Sequence, residues 1–111
     1  MNFPVIDLHC DTVLALLGDD MNQAGSLRKN RFHIDLERAS RLGGYAQCLA
    51  CFTTPFMEEY HHVSPVVAFG REHATLQREM DRNKDLISIA YSPKEIEENR
   101  ENGKMSAILT L

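Results

Sequence analysis

The sequence predicts an α/β fold in which parallel strands are joined by helices. Two observations indicate it: strand-like segments alternate with segments of helical spacing, and the strand-like segments are continuous apolar runs such as Ser106–Leu111. Strands connected through helices pair in parallel, and runs without polar alternation are typical of a sheet covered on both faces. A length of 111 residues corresponds to one small domain or a piece of a larger one.

The N-terminal residues predict a strand, a short helix and a loop, in that order. The strand is expected over Phe3–His9. Asp11 and Thr12 are suitable N-cap residues for the helix, which is expected to stop at Gly18. Residues 19–31 are polar and predict a loop.

A second helix and a buried strand are predicted next. Asp35 can cap the helix, and Gly43 is expected to supply its left-handed C-terminal residue. The apolar residues of this helix recur at helical spacing: Leu36, Ala39 and Leu42. Residues 45–53 then read as a buried strand.

The longest helix is predicted over residues 64–84, because Ser64 and Pro65 occupy the favoured cap and first-turn positions. Its predicted apolar face comprises Val66, Phe69, Leu76 and Met80. A short strand follows over residues 85–92, then a helix that Ser92 and Pro93 begin and Gly103 ends, and finally an apolar strand over residues 104–111.

Composition excludes several classes of function. The chain is 43% apolar and 25% charged, with a net charge of −4 and a pI near 5.7, so it has no basic footprint for nucleic acid or for an anionic membrane. It lacks a secretion signal and a membrane-spanning apolar run. Three cysteines, an odd number, predict reduced thiols in a cytoplasmic protein.

The opening stretch Pro4–Thr12 contains Asp7, His9 and Asp11 at alternate positions. Regular strand alternation would point all three to one face, and the end of a parallel strand faces the functional edge of the sheet. His9 and Asp11 could therefore reach one metal ion, at roughly 2.0–2.2 Å for zinc. Alternatively, His9 is a hydrogen-bonded core histidine and Asp11 caps the next helix.

The same His-x-Asp spacing recurs at His33 and Asp35. No apolar strand precedes this second copy, and Asp35 is well placed as a helix cap. Context therefore separates the two copies, and we interpret only the first as a candidate ligand pair.

Other chemistry-bearing residues have structural interpretations. Cys48 and Cys51 have the spacing of zinc knuckles, but residues three apart in a strand face opposite sides, which predicts packed thiols. His61 and His62 are expected in a polar loop, and His73 at the edge of a core. A solvated helix face is expected for the acidic residues Glu95, Glu97, Glu98 and Glu101.

Three segments together resemble the membrane dipeptidase family, also called renal dipeptidases. They are VIDLHCDT at residues 5–12, HIDLERASRLGGYAQ at 33–47 and LISIAYSPKEIEENRENGKMSAILTL at 86–111. They occur in family order and cover essentially the whole chain. A departure is Cys48, where an aromatic residue is expected after Ala-Gln.

The resemblance implies a metal-dependent (β/α)8 barrel, of which residues 1–111 would be a single partial domain. It implies two zinc ions, His9 and Asp11 as strand-one ligands of one of them, and hydrolysis of dipeptides, including some with a D-residue in second place. The family's bridging glutamate follows its third barrel strand, so we expect Glu and Gly at positions 112 and 113, with two histidine ligands later. Catalytic residues within this chain are unknown.

On this interpretation the chain is the N-terminal part of a zinc dipeptidase, inactive alone and prone to self-association through an open sheet edge. Two alternatives remain at this stage: a non-catalytic remnant or interaction module, and another metal-dependent barrel hydrolase. The His-x-His opening common in such hydrolases is absent from this sequence.

Overall fold

A computed structural model describes residues 3–17, 25–54, 58 and 62–111 of the chain. Strands and helices alternate in it, which confirms the predicted α/β fold. The elements are β1 (Val5–Cys10), α1 (Thr12–Leu16), α2 (Leu36–Ala39), β2 (Tyr45–Ala50), α3 (Pro65–Arg82), β3 (Ile87–Ile89), α4 (Pro93–Glu101) and β4 (Met105–Thr110).

The four strands form one parallel sheet in the order β1-β2-β4-β3. Tyr45 of β2 lies beside Val5 of β1, and Ala46 lies beside Ser106 of β4. The three-residue strand β3 pairs with the beginning of β4, from Ile87 beside Met105. This order differs from the sequential order of a simple barrel, because β3 lies beyond β4 and the chain then turns back.

This reversal accounts for the position of α4. Met105 and Ala107 belong to the core that α1, α2 and α3 cover, so the intervening Ser106 faces the other side of the sheet. Asn99 of α4 donates a hydrogen bond to Ser106 Oγ at 2.9 Å, which places α4 on that second face. Right-handed crossovers that run in opposite directions along a sheet put their helices on opposite faces.

The main core lies between the sheet and the helices α1, α2 and α3. Its strand residues are Cys10, Leu49, Ile87, Met105 and Ala107, with Cys51 directly after β2. Its helix residues are Val13, Leu16, Leu36, Ala39, Leu76 and Met80. On the other face of β1, Ile6 and Leu8 are 59% and 77% exposed, so this side of the edge strand is uncovered in the part of the chain described.

Local sequence signals placed the helix starts correctly. Asp35, Ser64 and Ser92 each accept a hydrogen bond from the backbone N–H three residues later, which satisfies a donor that the first helical turn leaves free. Pro65 and Pro93 occupy first-turn positions.

The predicted helix ends are less accurate. Helix α2 has four residues and ends at Ala39, and the positive φ falls on Gly44 (151°) rather than on Gly43. The prediction for Gly43 is therefore wrong, because the chain leaves the helix a turn earlier. Gly103 does follow α4 with a φ of 73°, and Gly18 lies outside the described residues.

Three of the four residues predicted to face the core from helix α3 do so. Leu76 and Met80 are buried, but Val66 is 80% exposed because it lies on the opposite side of the first turn. Two carboxylates, Glu72 and Glu79, are on the buried face instead. Although α3 has 18 residues, neither it nor any other helix in the described ranges is long and apolar enough to span a bilayer.

The buried Glu79 fixes the segment that precedes α2. It accepts a hydrogen bond from the backbone N–H of Leu27 at 2.9 Å, and Leu27 is in the core. The neighbouring Arg28 forms two 2.7 Å hydrogen bonds to Asp85. The segment predicted as a polar loop is therefore tied to the end of α3 from residue 25 onward.

Candidate metal centre

The carboxyl ends of β1, β2 and β4 meet at one edge of the sheet, because these strands are parallel neighbours. They end at Cys10, Ala50 and Thr110. His9 and Asp11 lie at this edge, at the end of β1 and just beyond it. Ligands of open α/β sheets and of barrels bind outside this edge, which makes it the candidate functional site.

His9 and Asp11 form a side-chain pair at the edge. His9 Nε2 lies 3.1 Å from Asp11 Oδ1, and the two side chains are 60% and 55% exposed. The imidazole and the carboxylate are thus solvent-accessible side chains in direct contact with each other.

The register of β1 against β2 shifts just before this side-chain pair. Asp7 pairs with Gln47 and Cys10 with Leu49, so Asp7 and Cys10 lie on the same face although they are three residues apart. The backbone N–H of His9 donates to Asp7 Oδ1 at 3.1 Å within this irregularity. The prediction that Asp7 shares one face with His9 and Asp11 is wrong, because the extra residue interrupts the alternation, as bulges near functional sites do.

The structural alternative for this pair holds only for the position of Asp11. His9 is exposed and is not a core histidine. Asp11 does occupy the N-cap position of α1, but its side chain makes no capping hydrogen bond. Its carboxylate is paired with the imidazole instead.

The distance between the two donor atoms is compatible with both binding one metal ion. Zinc lies roughly 2.0–2.2 Å from nitrogen and oxygen ligands, so two donors on one ion are at most roughly 4 Å apart, and the observed separation of His9 Nε2 and Asp11 Oδ1 is 3.1 Å. Within residues 3–17, 25–54, 58 and 62–111, no three His, Cys, Asp or Glu side chains form a group suited to a metal. The described residues thus include one pair of candidate donors, His9 and Asp11, and no three-donor group.

The second His-x-Asp copy has the predicted structural role. Asp35 is 3% exposed and accepts hydrogen bonds from Arg38 N and Arg38 Nε, each at 2.8 Å. His33 is exposed and two residues away from a carboxylate that is already fully engaged. Asp35 is a helix cap, as expected.

Cys48 and Cys51 are buried free thiols. Cys51 belongs to the core under the helices, whereas Cys48 lies in the register row of Ile108, on the other face. Burial raises the pKa of Cys51 to about 11, and the charge of Glu72 adds to the effect. A protonated, buried thiol is a poor metal ligand at neutral pH.

We predict that replacing both Cys48 and Cys51 with alanine leaves the metal content of the protein unchanged, because the two thiols face opposite sides of the sheet. Elemental analysis of the purified double variant measures this directly. Loss of one zinc equivalent from a variant that still folds would contradict the placement of the thiols.

The remaining histidines and the acidic residues of α4 have ordinary positions. His73 stacks on Phe69 with ring centroids 5.8 Å apart, at the edge of the core as expected. His62 is exposed, and His61 lies outside the described residues. Helix α4 has no buried residues, which confirms the solvated face predicted for its acidic side chains.

The sequence patterns do not predict the burial of Glu72. It is 0% exposed and lies four residues after Ala68 and four before Leu76, both buried on α3. This spacing was visible in the sequence, but a glutamate is normally assigned to the solvent side of a helix.

Comparison with known protein families gives a match over the whole chain. A family model described as membrane dipeptidase (peptidase family M19) matches residues 1–111. A search of curated proteins finds no match. The matched range includes His9, Asp11 and all four strands of the described sheet.

Proposed function

This chain belongs to the membrane dipeptidase family, peptidase family M19. On that premise we propose that it is part of a zinc-dependent enzyme that hydrolyses dipeptides. The family match indicates a dipeptidase-type hydrolase. The observation that carries the proposal is the exposed His9–Asp11 pair, 3.1 Å apart at the carboxyl edge of the sheet.

His9 and Asp11 are the residues of this chain that would hold a zinc ion, through the imidazole Nε2 and a carboxylate oxygen. When bound, zinc supplies Lewis acidity and lowers the pKa of a coordinated water from ~15.7 toward ~7. The backbone N–H of His9 donates to Asp7 Oδ1, and its imidazole contacts Asp11 Oδ1 at 3.1 Å. A tight zinc site takes three or four protein ligands, so the other donors come from parts of the protein outside the described residues.

The proposed architecture is a (β/α)8 barrel in which β1, β2 and β4 are successive strands. Three features support it: the parallel order of these strands, the helices α1, α2 and α3 on one face, and the small side chains Ala46, Cys48 and Ser106 on the other. In this arrangement β3 and α4 form an excursion between two barrel strands. Residues 1–111 form one partial domain.

We propose dipeptides as the substrate, a cytoplasmic location, and neither nucleic acid nor membrane as a partner. The family match supports the dipeptide substrate. The net charge of −4 supports the absence of nucleic acid and anionic membrane as partners, and the three free thiols Cys10, Cys48 and Cys51 support the cytoplasmic location. Self-association is also proposed, through the unpaired lateral edge of β1, the first strand of the sheet, with the exposed side chains of Ile6 and Leu8 on the adjoining face.

The decisive experiment measures zinc content and the release of amino acids from L-Ala-L-Ala and L-Ala-D-Ala by the protein at its full natural length. We expect two metals per chain and zinc-dependent turnover. Residues 1–111 alone are expected to hold zinc weakly and at most singly, and to hydrolyse neither dipeptide, because their described part supplies two donors.

Failure of the full-length protein to bind zinc or to cleave either dipeptide would contradict the proposed function and favour a non-catalytic binding module. Turnover by residues 1–111 at the rate of the full-length protein would show that the site has been misplaced.

A further inference from the structure

The irregularity in β1 is a bulge that contains His9. Asp7 of β1 pairs with Gln47 of β2. Pairing resumes at Cys10, beside Leu49, so two residues of β1 lie opposite one residue of β2. A bulge interrupts the hydrogen-bond ladder locally and redirects side chains. The placement of His9 therefore depends on what holds the bulge in this shape.

The side chain of Gln47 spans the bulge. It is 1% exposed, and its Nε2 donates hydrogen bonds to two backbone carbonyls, Asp7 O at 3.4 Å and Cys48 O at 3.1 Å. One carbonyl belongs to β1 and the other to β2, so a single amide links the two strands where the ladder is interrupted. The hydroxyl of Tyr45 donates to Gln47 Oε1. Both ends of the carboxamide are thus engaged, which fixes its orientation.

A second contact continues from Asp7 to His9. Asp7 Oδ1 accepts a hydrogen bond from the backbone N–H of His9 at 3.1 Å. Asp7 is therefore held by Gln47 through its carbonyl, and it holds the backbone of His9 through its carboxylate. Hydrogen bonds thus run without a gap from Gln47 to the backbone of the first candidate ligand.

A side-chain amide elsewhere in the sheet makes a comparable link. Asn99 Nδ2 of α4 donates to Ser88 O of β3 at 3.4 Å and to Ser106 Oγ of β4 at 2.9 Å. It also joins two neighbouring strands, but near the beginning of β4 and on the opposite face from the main core. Asn99 is therefore a matched case in a part of the sheet that contains neither His9 nor Asp11.

We propose that Gln47 is a positioning residue of the candidate metal centre: by linking β1 to β2 across the bulge, it fixes the backbone of His9 and so the placement of the imidazole. This inference rests on the proposed function, because it takes His9 as a metal ligand. Groups behind metal ligands orient them, and their loss typically lowers metal affinity roughly 10–100-fold. Since Gln47 acts through the backbone of β1, the expected effect is at the lower end of that range.

The test uses the full-length protein with Co²⁺ and Zn²⁺ as the probes. Metal affinity is measured by competition with a chelator. Amide hydrogen exchange of residues 7–11 and the melting temperature are measured after removal of metal. Three variants are compared with the parent: Gln47→Met, which keeps the length of the side chain but removes its amide, Tyr45→Phe, which removes the donor to Gln47 Oε1, and the control Asn99→Leu.

We expect Gln47→Met to bind both metals roughly 10-fold more weakly and to exchange the amides of residues 7–11 faster than the parent. Tyr45→Phe should change both quantities in the same direction by less, because the carboxamide remains. Asn99→Leu should melt lower, since Ser106 Oγ loses a partner, but keep the parent's metal affinity. A purely structural role of Gln47 would lower the melting temperature alone.

Parent-like metal affinity in Gln47→Met would overturn the role of Gln47 and leave the proposed function standing. Unchanged exchange of residues 7–11, or an equal loss of affinity in Asn99→Leu, would also overturn it. If Gln47→Met does not fold, Tyr45→Phe decides: weaker metal binding supports the role, and parent-like binding overturns it. A parent protein that binds neither metal would overturn the proposed function, and with it this inference.

Discussion

Replacing His9 or Asp11 with alanine is expected to lower dipeptide hydrolysis by the full-length protein at least ~10²-fold and to remove one metal per chain. The physical reason is that each residue supplies one of two donor atoms that lie 3.1 Å apart. Among the described residues, no third His, Cys, Asp or Glu groups with this pair and could replace a lost donor. The measurements are steady-state hydrolysis of L-Ala-L-Ala and metal content by elemental analysis.

The chain provides a matched control for this experiment. His33 has the same His-x-Asp spacing and is exposed, but its neighbour Asp35 is engaged in a helix cap. His33→Ala is therefore expected to keep both metals and full activity. Two metals retained in both His9→Ala and Asp11→Ala would refute the assignment of the ligand pair.

Replacing Asp35 with alanine is expected to lower the free energy of unfolding by about 2–3 kcal/mol, which corresponds to a melting temperature lower by roughly 10 °C. The carboxylate is 3% exposed, caps α2 through Arg38 N at 2.8 Å and accepts from Asn30 N at 3.4 Å. Its loss removes the cap and leaves donors unpaired between α2 and the preceding segment.

Ser92→Ala serves as the control, because Ser92 caps α4 on an exposed helix and its removal should cost only about 1 kcal/mol. Equal losses in the two variants would show that burial of Asp35 adds nothing to its capping role. Thermal and urea unfolding, monitored by circular dichroism, measure both.

The same carboxylate predicts a pH dependence. Burial raises the pKa of Asp35, but hydrogen bonds from Arg38 and Asn30 outweigh this, so the pKa lies below its ordinary value. A lowered pKa in the folded state contributes stability above the unfolded pKa of about 3.9. The stability difference between the parent and Asp35→Asn should therefore be present at pH 6 and shrink as the pH falls below about 4. A difference that grows on acidification would contradict it.

The sequence by itself determined the features that depend on neighbours in the chain. The caps Asp35, Ser64 and Ser92 were predictable because a cap is completed within three residues, and the strands β1, β2 and β4 were predictable because their apolar runs are continuous. The His9–Asp11 pair could be identified for the same reason, since both residues lie at the end of one strand.

Tertiary structure alone decided three other features. The order of β3 and β4 depends on which strand edges meet, a choice that strand propensity does not encode. The register shift after Asp7 arises from pairing with β2. Periodicity within β1 therefore could not reveal that Asp7 and His9 lie on different faces of the sheet. The burial of Glu72, whose carboxylate has no hydrogen-bond partner, depends on how α3 packs in the fold, which the spacing within α3 does not encode.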